Sequence, residues 1–227
     1  MSEWWTYRLT SFLLFSPRTY YRTIELYNLA IWPLQLAGVA IGLAIVALLV
    51  TRIGQRDRVI TALLSACWLW IAWAFHYERY AQINWVAPWF AAAFALQALL
   101  LVVLGVFMCR VVFQTASGRG FRIAASLAAI VVIAYPLLAL LTGRAWTTAE
   151  LFGVTPDPTA IATVAMLALV RGRLRWLLLV VPLLWCASAV LTLWAMKSPE
   201  AGVVAGVVAL GLWPALAKQP TPRTLTN

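Results

Sequence analysis

The chain has 227 residues, of which 64% are hydrophobic and 11% charged, with a mean hydropathy of +0.89. This composition excludes a water-soluble globular domain and indicates a protein that is solvated by lipid. The net charge of +10 does not indicate nucleic-acid binding, because the basic residues fall in short turns between apolar runs and not along one continuous face.

Residues 1–27 predict an amphipathic segment that lies in the membrane interface. Residues 4–15 mix aromatic and polar side chains, and Ser16 followed by Pro17 is typical of a helix cap and the first helical turn. Charged residues are spread over residues 1–26, which lack a basic start and a short apolar core followed by small residues. We therefore expect no cleavable signal peptide here.

Seven apolar runs follow this segment, and about 20 apolar residues are needed to cross roughly 30 Å of hydrocarbon. We predict an all-α, polytopic transmembrane helix bundle with about seven spans, forming a single domain over residues 28–217 with a cytoplasmic tail at 218–227. The predicted spans cover residues 28–50, 59–75, 85–112, 121–141, 158–170, 176–195 and 201–217. The fifth run is short enough to be a broken or re-entrant helix.

Charge alternates along the connections between these runs. The first, third and fifth connections and the C-terminal tail are rich in arginine and lysine, whereas all acidic residues except Asp57 lie in the other connections or near the N-terminus. Because Lys and Arg next to a span stay on the cytoplasmic side, this pattern predicts an outside N-terminus and a cytoplasmic C-terminus.

Two pairs of glycines four residues apart predict close helix packing. Gly38 and Gly42 lie in the first span, and Gly202 and Gly206 lie in the seventh. Such pairs allow backbones to approach each other, although glycine is also common in membrane helices without any packing role.

Polar residues that gather at the predicted outer side are the candidate binding site, since polar groups near membrane depth are costly and often functional. The candidates are Glu25, Asn28, His76, Tyr80, Asn84, Glu150 and Asp157. Asp157 lies between two prolines at the start of the fifth run, where it could cap the helix or line an outward-open cavity.

Several chemical classes are disfavoured by the residues present. A single histidine, His76, excludes bis-histidine haem and multi-histidine metal sites, although a proton relay or cation ligand with a nearby acid stays open. The cysteines are widely spaced within apolar runs, and no nucleophile or phosphate-binding motif is present. We therefore expect no enzyme activity, no metal and no cofactor.

Several segments together resemble a family of bacterial polytopic inner-membrane proteins of unknown function. The resemblance rests on residues 3–8, 15–21, 25–28, 32–33, 152–153 and 156–159. It implies a bacterial origin and a location in the inner membrane, and it implies no reaction.

Two functions remain open. The first is a transporter or binder of a small solute or ion with an outward-facing polar site, which the proline-bracketed short span favours. The second is an accessory or assembly subunit of a larger membrane complex, which the small size and the absence of a catalytic constellation favour. Beyond the lipid bilayer, the expected partner is therefore a membrane protein or a second copy of the chain.

Overall fold

The computed structural model describes residues 15–114 and 118–217, and this part of the chain is all-helical. Its nine α-helices are α1 Pro17–Ile31, α2 Leu34–Val50, α3 Arg56–Trp70, α4 Ala87–Leu101, α5 Gly118–Ala134, α6 Leu137–Leu141, α7 Pro156–Leu167, α8 Leu174–Ala195 and α9 Glu200–Leu216. Wider π-helical turns extend α3 over Ile71–Tyr77 and α4 over Val102–Phe107.

Helix α1 is a helix of its own, separated from α2 by a sharp bend. The Ser16 side chain caps it by accepting a hydrogen bond from the Thr19 backbone N–H at 3.1 Å, and Pro17 occupies its first turn. The helix ends before Pro33, and the axes of α1 and α2 differ by 92°. The predicted boundary near residue 28 therefore lies inside α1, because the chain bends at Trp32 and Pro33. The predicted interfacial stretch at residues 4–14 lies outside the described residues.

Helix α7 lies at the centre of the bundle, against α5, α8 and α9. All 12 of its residues are buried, so no side of α7 lies at the surface of the bundle. The Trp68 indole N–H of α3 donates to the Thr163 hydroxyl of α7 at 3.1 Å.

A buried, non-helical segment at residues 151–155 leads into α7 beside the first glycine pair of α2. A Cβ atom on Gly38 would lie 2.5 Å from the Phe152 carbonyl oxygen, and one on Gly42 would lie 2.7 Å from the Phe152 ring. The Gly153 backbone N–H donates to the Thr159 hydroxyl at 2.8 Å. Non-helical backbone is tolerated at such a position because protein surrounds it and satisfies its polar groups.

The arginine-rich connections meet at one end of the bundle. The buried Arg56 guanidinium donates to the backbone carbonyls of Leu49 and Thr51 on one side and of Phe113 and Gln114 on the other, at 2.7–3.1 Å. Phe113 in turn forms an antiparallel bridge with Val170. We call this the basic end, and we call the opposite end, which contains Asn28, Glu150 and Glu200, the acidic end.

Three helical stretches are long and apolar enough to cross a membrane, namely Arg56–Gln82, Ala87–Phe107 and Leu174–Ala195, and the bent pair α1 and α2 makes a fourth if it is one span. Helices α5 and α9 have 17 residues each and α7 has 12. Each predicted run does contain a helix, while the count of about seven spans and their orientation stay predictions.

Candidate functional site

Asp157 lies in the first turn of α7 and is 2% exposed. Its Oδ1 accepts a hydrogen bond from the Trp185 indole N–H of α8 at 2.9 Å. The sequence suggested Asp157 as the cap of this helix, but Thr155 occupies the N-cap position and Pro156 the first turn. The carboxyl group therefore points to the neighbouring helix, although it still lies at the positive end of the helix dipole.

Glu150 is buried at the acidic end, close enough to Asp157 for the two carboxyl groups to interact electrostatically. It is 3% exposed, and its Oε1 has no hydrogen-bond partner within the described residues. Burial raises the pKa of the Glu150 carboxyl well above its usual range, the charge of Asp157 raises it further, and Arg144 opposes both effects. The environment of Glu150 thus favours its protonated form, or the carboxylate with a bound cation.

A third buried carboxyl, that of Glu200 at the start of α9, has a basic partner. The Arg144 guanidinium donates to Glu200 Oε1, and the Thr142 hydroxyl donates to the same oxygen at 2.9 Å. The guanidinium also lies over the Tyr21 ring of α1, 4.2 Å from its centroid. Arg144 is therefore occupied by Glu200 and Tyr21.

The three buried carboxyls outnumber the basic groups around them. Glu150 and Asp157 form no ion pair with any residue that the structure describes. The Tyr135 side chain lies close enough to Glu150, Asp157 and Glu200 to interact electrostatically, and its hydroxyl has no partner among the described residues. A site of this composition attracts positive charge, because buried carboxylates without a cation are costly.

His76 is completely buried in a cage of aromatic rings. Its ring centroid lies 4.4 Å from that of Phe94 and 4.8 Å from that of Trp185, and neither ring nitrogen has a partner in the described chain. The π-helical turn places the consecutive side chains Phe75 and His76 both inside the bundle. His76 therefore contacts Trp185, the residue that binds Asp157, and does not itself form an ion pair with an acid in the described chain.

Asn28 and Glu25 of α1 hold the connection that precedes Glu150. The Asn28 amide nitrogen donates to the carbonyls of Thr147 and Ala149, both at 2.8 Å. The Thr147 hydroxyl donates to Glu25 Oε1 at 3.3 Å, and Glu25 also pairs with Arg22. These two candidates fix the loop that carries Glu150.

Tyr80 and Asn84 complete the predicted set in different roles. Tyr80 is buried among aromatic rings, with its centroid 5.9 Å from that of Phe75 and 6.1 Å from that of Tyr20. Asn84 Oδ1 accepts a hydrogen bond from the Val86 backbone N–H at 3.0 Å and so stabilises the turn before α4.

The seven predicted residues thus share one end of the bundle but do not form one cluster. Glu150 and Asp157 lie together, His76 and Tyr80 lie in the adjoining aromatic layer, and the remaining three stabilise turns and loops. No group of three or more His, Cys, Asp or Glu side chains in the described ranges could hold a metal ion.

Sequence reasoning missed Trp185, Tyr135 and Glu200 as members of this site. Trp185 and Tyr135 lie within apolar runs, where aromatic residues are ordinary and give no local signal. Glu200 opens α9, far from Glu150 in sequence, and its proximity depends on how the helices pack.

The fold and the site together define an all-helical protein with several apolar helices and a buried, acid-rich polar site at one end. The chain belongs to a family of unknown function, DUF6064, whose model matches residues 18–221. In comparisons of this chain with curated proteins and with solved structures, no match was found.

Proposed function

We propose that this protein is a multi-pass protein of a bacterial inner membrane that binds a proton or small cation at Glu150 and Asp157, as a transporter or binder of an ion or small solute. In this proposal the acidic end faces outwards and the basic end faces the cytoplasm, as the charge alternation predicts.

The observation that carries the proposal is the pair of buried carboxyls without an ion-pair partner in the described chain. Each is 3% exposed or less, and the neighbouring Arg144 is already paired with Glu200. Two buried carboxyls that interact electrostatically are stable when at least one of them is protonated or when a cation is bound, and the proton affinity of each depends on the charge of the other.

The backbone around the pair supports a transport role. Residues 151–155 are non-helical, and α7 begins directly after them. In many membrane transporters, non-helical backbone with its carbonyl groups forms part of the ion site. Helix α1 covers the acidic end, since its Tyr27 hydroxyl donates to the Val154 carbonyl at 2.8 Å.

Infrared difference spectroscopy on purified protein in liposomes tests the binding step. A pH jump or the addition of Na⁺ or K⁺ is expected to change the carboxylic-acid band, and Glu150→Gln or Asp157→Asn should each remove that change. Both substitutions preserve shape, and Asp157→Asn keeps a side-chain oxygen that can accept from the Trp185 N–H. Glu78→Gln is the matched control, because Glu78 is an exposed acid that follows the π-helical turn.

Proteoliposomes containing a pH-sensitive dye test the transport step. The wild type and Glu78→Gln are expected to dissipate an imposed proton or cation gradient, and the two buried-site variants are not. If all four proteins give the same flux and the same carboxyl spectrum, the proposed site is wrong. If the carboxyl band of the wild type responds to pH or cations but no flux is measured, the protein binds the ion and does not transport it.

The outer face of α9 favours a second function, that of a subunit in a larger membrane complex. A Cβ on Gly202 or on Gly206 would have no atom within 4 Å, so this glycine pair contacts nothing in the described chain. Small-residue pairs on a free membrane helix are suited to packing against another helix.

Extraction in mild detergent followed by native mass measurement separates the two functions. A stoichiometric foreign partner supports a subunit, whereas a monomer or homo-oligomer argues against it.

A further inference from the structure

A cavity of about 290 Å³ lies at the acidic end, between the bend that joins α1 to α2 and the turn at residues 146–151. It is bounded by Asn28, Trp32, Gln35, Leu36, Trp146 and Leu151, among others. Its volume is close to the lower end of the range for small-molecule sites, about 300–1,000 Å³. The unpaired carboxyls are not part of its wall, so it is a different site from the one proposed above.

Two buried amide oxygens at this cavity have no donor within the described residues. Asn28 is 7% exposed and Gln35 is 5% exposed, and the unpartnered atoms are Asn28 Oδ1 and Gln35 Oε1. The orientation of both amides is fixed by their nitrogens. Asn28 Nδ2 donates to two carbonyls, and Gln35 Nε2 donates to the Asn28 backbone oxygen at 2.6 Å. Both amide oxygens therefore lack a donor within the described residues, and they belong to side chains of residues that line the cavity.

Apart from Thr147, the rest of the wall is apolar, and it opens to the outside of the bundle. Trp32 is 67% exposed, Leu36 59% and Trp146 54%. Exposed tryptophans next to a predicted span are typical of the layer where lipid head groups meet acyl chains. Glu25 accepts a hydrogen bond from the hydroxyl of Thr147, which lines the same wall. A ligand here would have an apolar part and a polar end that donates hydrogen bonds.

We propose that this cavity binds the head-group region of a bilayer amphiphile with a primary ammonium, such as an aminophospholipid. A primary ammonium has three N–H donors and no acceptor, which fits two unpaired carbonyl oxygens and no cationic side chain at the wall. A trimethylammonium head group has the same charge but no N–H donor. The amide oxygens would therefore distinguish the two head groups.

Native mass spectrometry of the protein in mixed vesicles of phosphatidylethanolamine and phosphatidylcholine with identical acyl chains tests the inference. The wild type is expected to retain phosphatidylethanolamine with about tenfold preference, since two hydrogen bonds separate the lipids. Leu36→Trp places a larger ring at the cavity wall and should reduce the retained lipid at least fivefold. Leu43→Trp is the matched control, because Leu43 is 44% exposed on the same helix and does not line the cavity.

Equal retention of the two lipids by the wild type would overturn the inference, and so would equal effects of the two tryptophan substitutions. The lipid preference of the wild type decides the matter even if Leu36→Trp fails to fold. Soluble phosphoethanolamine distinguishes the source of the ammonium: displacement of the lipid by an equimolar amount would reject a lipid ligand, whereas displacement only by a large excess agrees with one. The carboxyl spectrum of Glu150 is recorded separately, so this inference and the proposed ion site fail independently.

Discussion

The two glycine pairs of the chain have the same spacing but opposite surroundings, and alanine substitution should distinguish them. A Cβ on Gly38 would lie 2.5 Å from the Phe152 carbonyl oxygen and 3.2 Å from a Val154 methyl group. A Cβ on Gly202 would have no atom within 4 Å. The same substitution therefore inserts one methyl group into a packed backbone contact and another into open space.

The size of the difference follows from two contributions. Both substitutions replace a helical glycine with alanine, which favours the helix by about 0.5–1 kcal/mol at each position. In Gly38→Ala alone, the methyl group meets backbone that has no alternative rotamer, and overpacking of this kind costs about 1–3 kcal/mol. The helix contribution cancels, so the two variants should differ by about 1–3 kcal/mol in the free energy of unfolding.

Thermal unfolding in mild detergent, followed by circular dichroism, is the measurement. For a chain of this size 1 kcal/mol corresponds to roughly 2–4 °C in Tm. Gly202→Ala should unfold at or slightly above the wild-type temperature, and Gly38→Ala several degrees below it. Equal Tm values for the two variants would refute the packing of residues 151–155 against α2.

Three further measurements address other parts of the molecule. Because burial raises the pKa of Glu150, the folded chain binds more protons than the unfolded chain above the ordinary glutamate pKa, so stability should fall as pH rises. Glu150→Gln should flatten that dependence, and an unchanged slope would contradict it. Arg56→Lys should lower the free energy of unfolding by about 2–4 kcal/mol, because one ammonium cannot donate to four separated carbonyls. A loss below about 0.5 kcal/mol, the size of an ordinary surface substitution, would reject this role. Cys109 is exposed near the basic end, whereas Cys67 and Cys186 are buried, so a membrane-impermeant maleimide should label the protein only after the cells are permeabilised. Labelling of Cys109 in intact cells would reverse the predicted orientation.

The helices were largely predictable because each apolar run contains one. The bend at Trp32 and Pro33 was harder to place, since the apolar residues from Leu26 to Leu36 continue through it without a change in composition. The fifth run was short enough to predict a broken or re-entrant helix, and its helix α7 has 12 residues. Its position at the centre of the bundle could not be predicted, because burial by protein and burial by lipid select the same apolar residues.

For the candidate site, the sequence predicted which end of the bundle carries the polar residues but not how they group. Asn84 stabilises a turn and Asn28 holds a loop. Asparagine is used for such structural roles and for ligand binding alike, so the residue type does not tell which role applies. The pairing of Arg144 with Glu200 depends on the packing of α9, and no local pattern indicates it. Because Arg144 pairs with Glu200, neither Glu150 nor Asp157 has an ion-pair partner among the residues that the structure describes, and only the three-dimensional contacts show this.

The burial of α7 has a consequence for how the protein is made. A helix of 12 residues is too short to enter a bilayer by itself, since about 20 apolar residues are required. In the proposed membrane location, helix α7 would therefore enter the bilayer only together with its neighbours, and α8 and α9 are synthesised after it. During biosynthesis the segment carrying Asp157 would stay outside the lipid until α8 and α9 are in place, and the site would be assembled last.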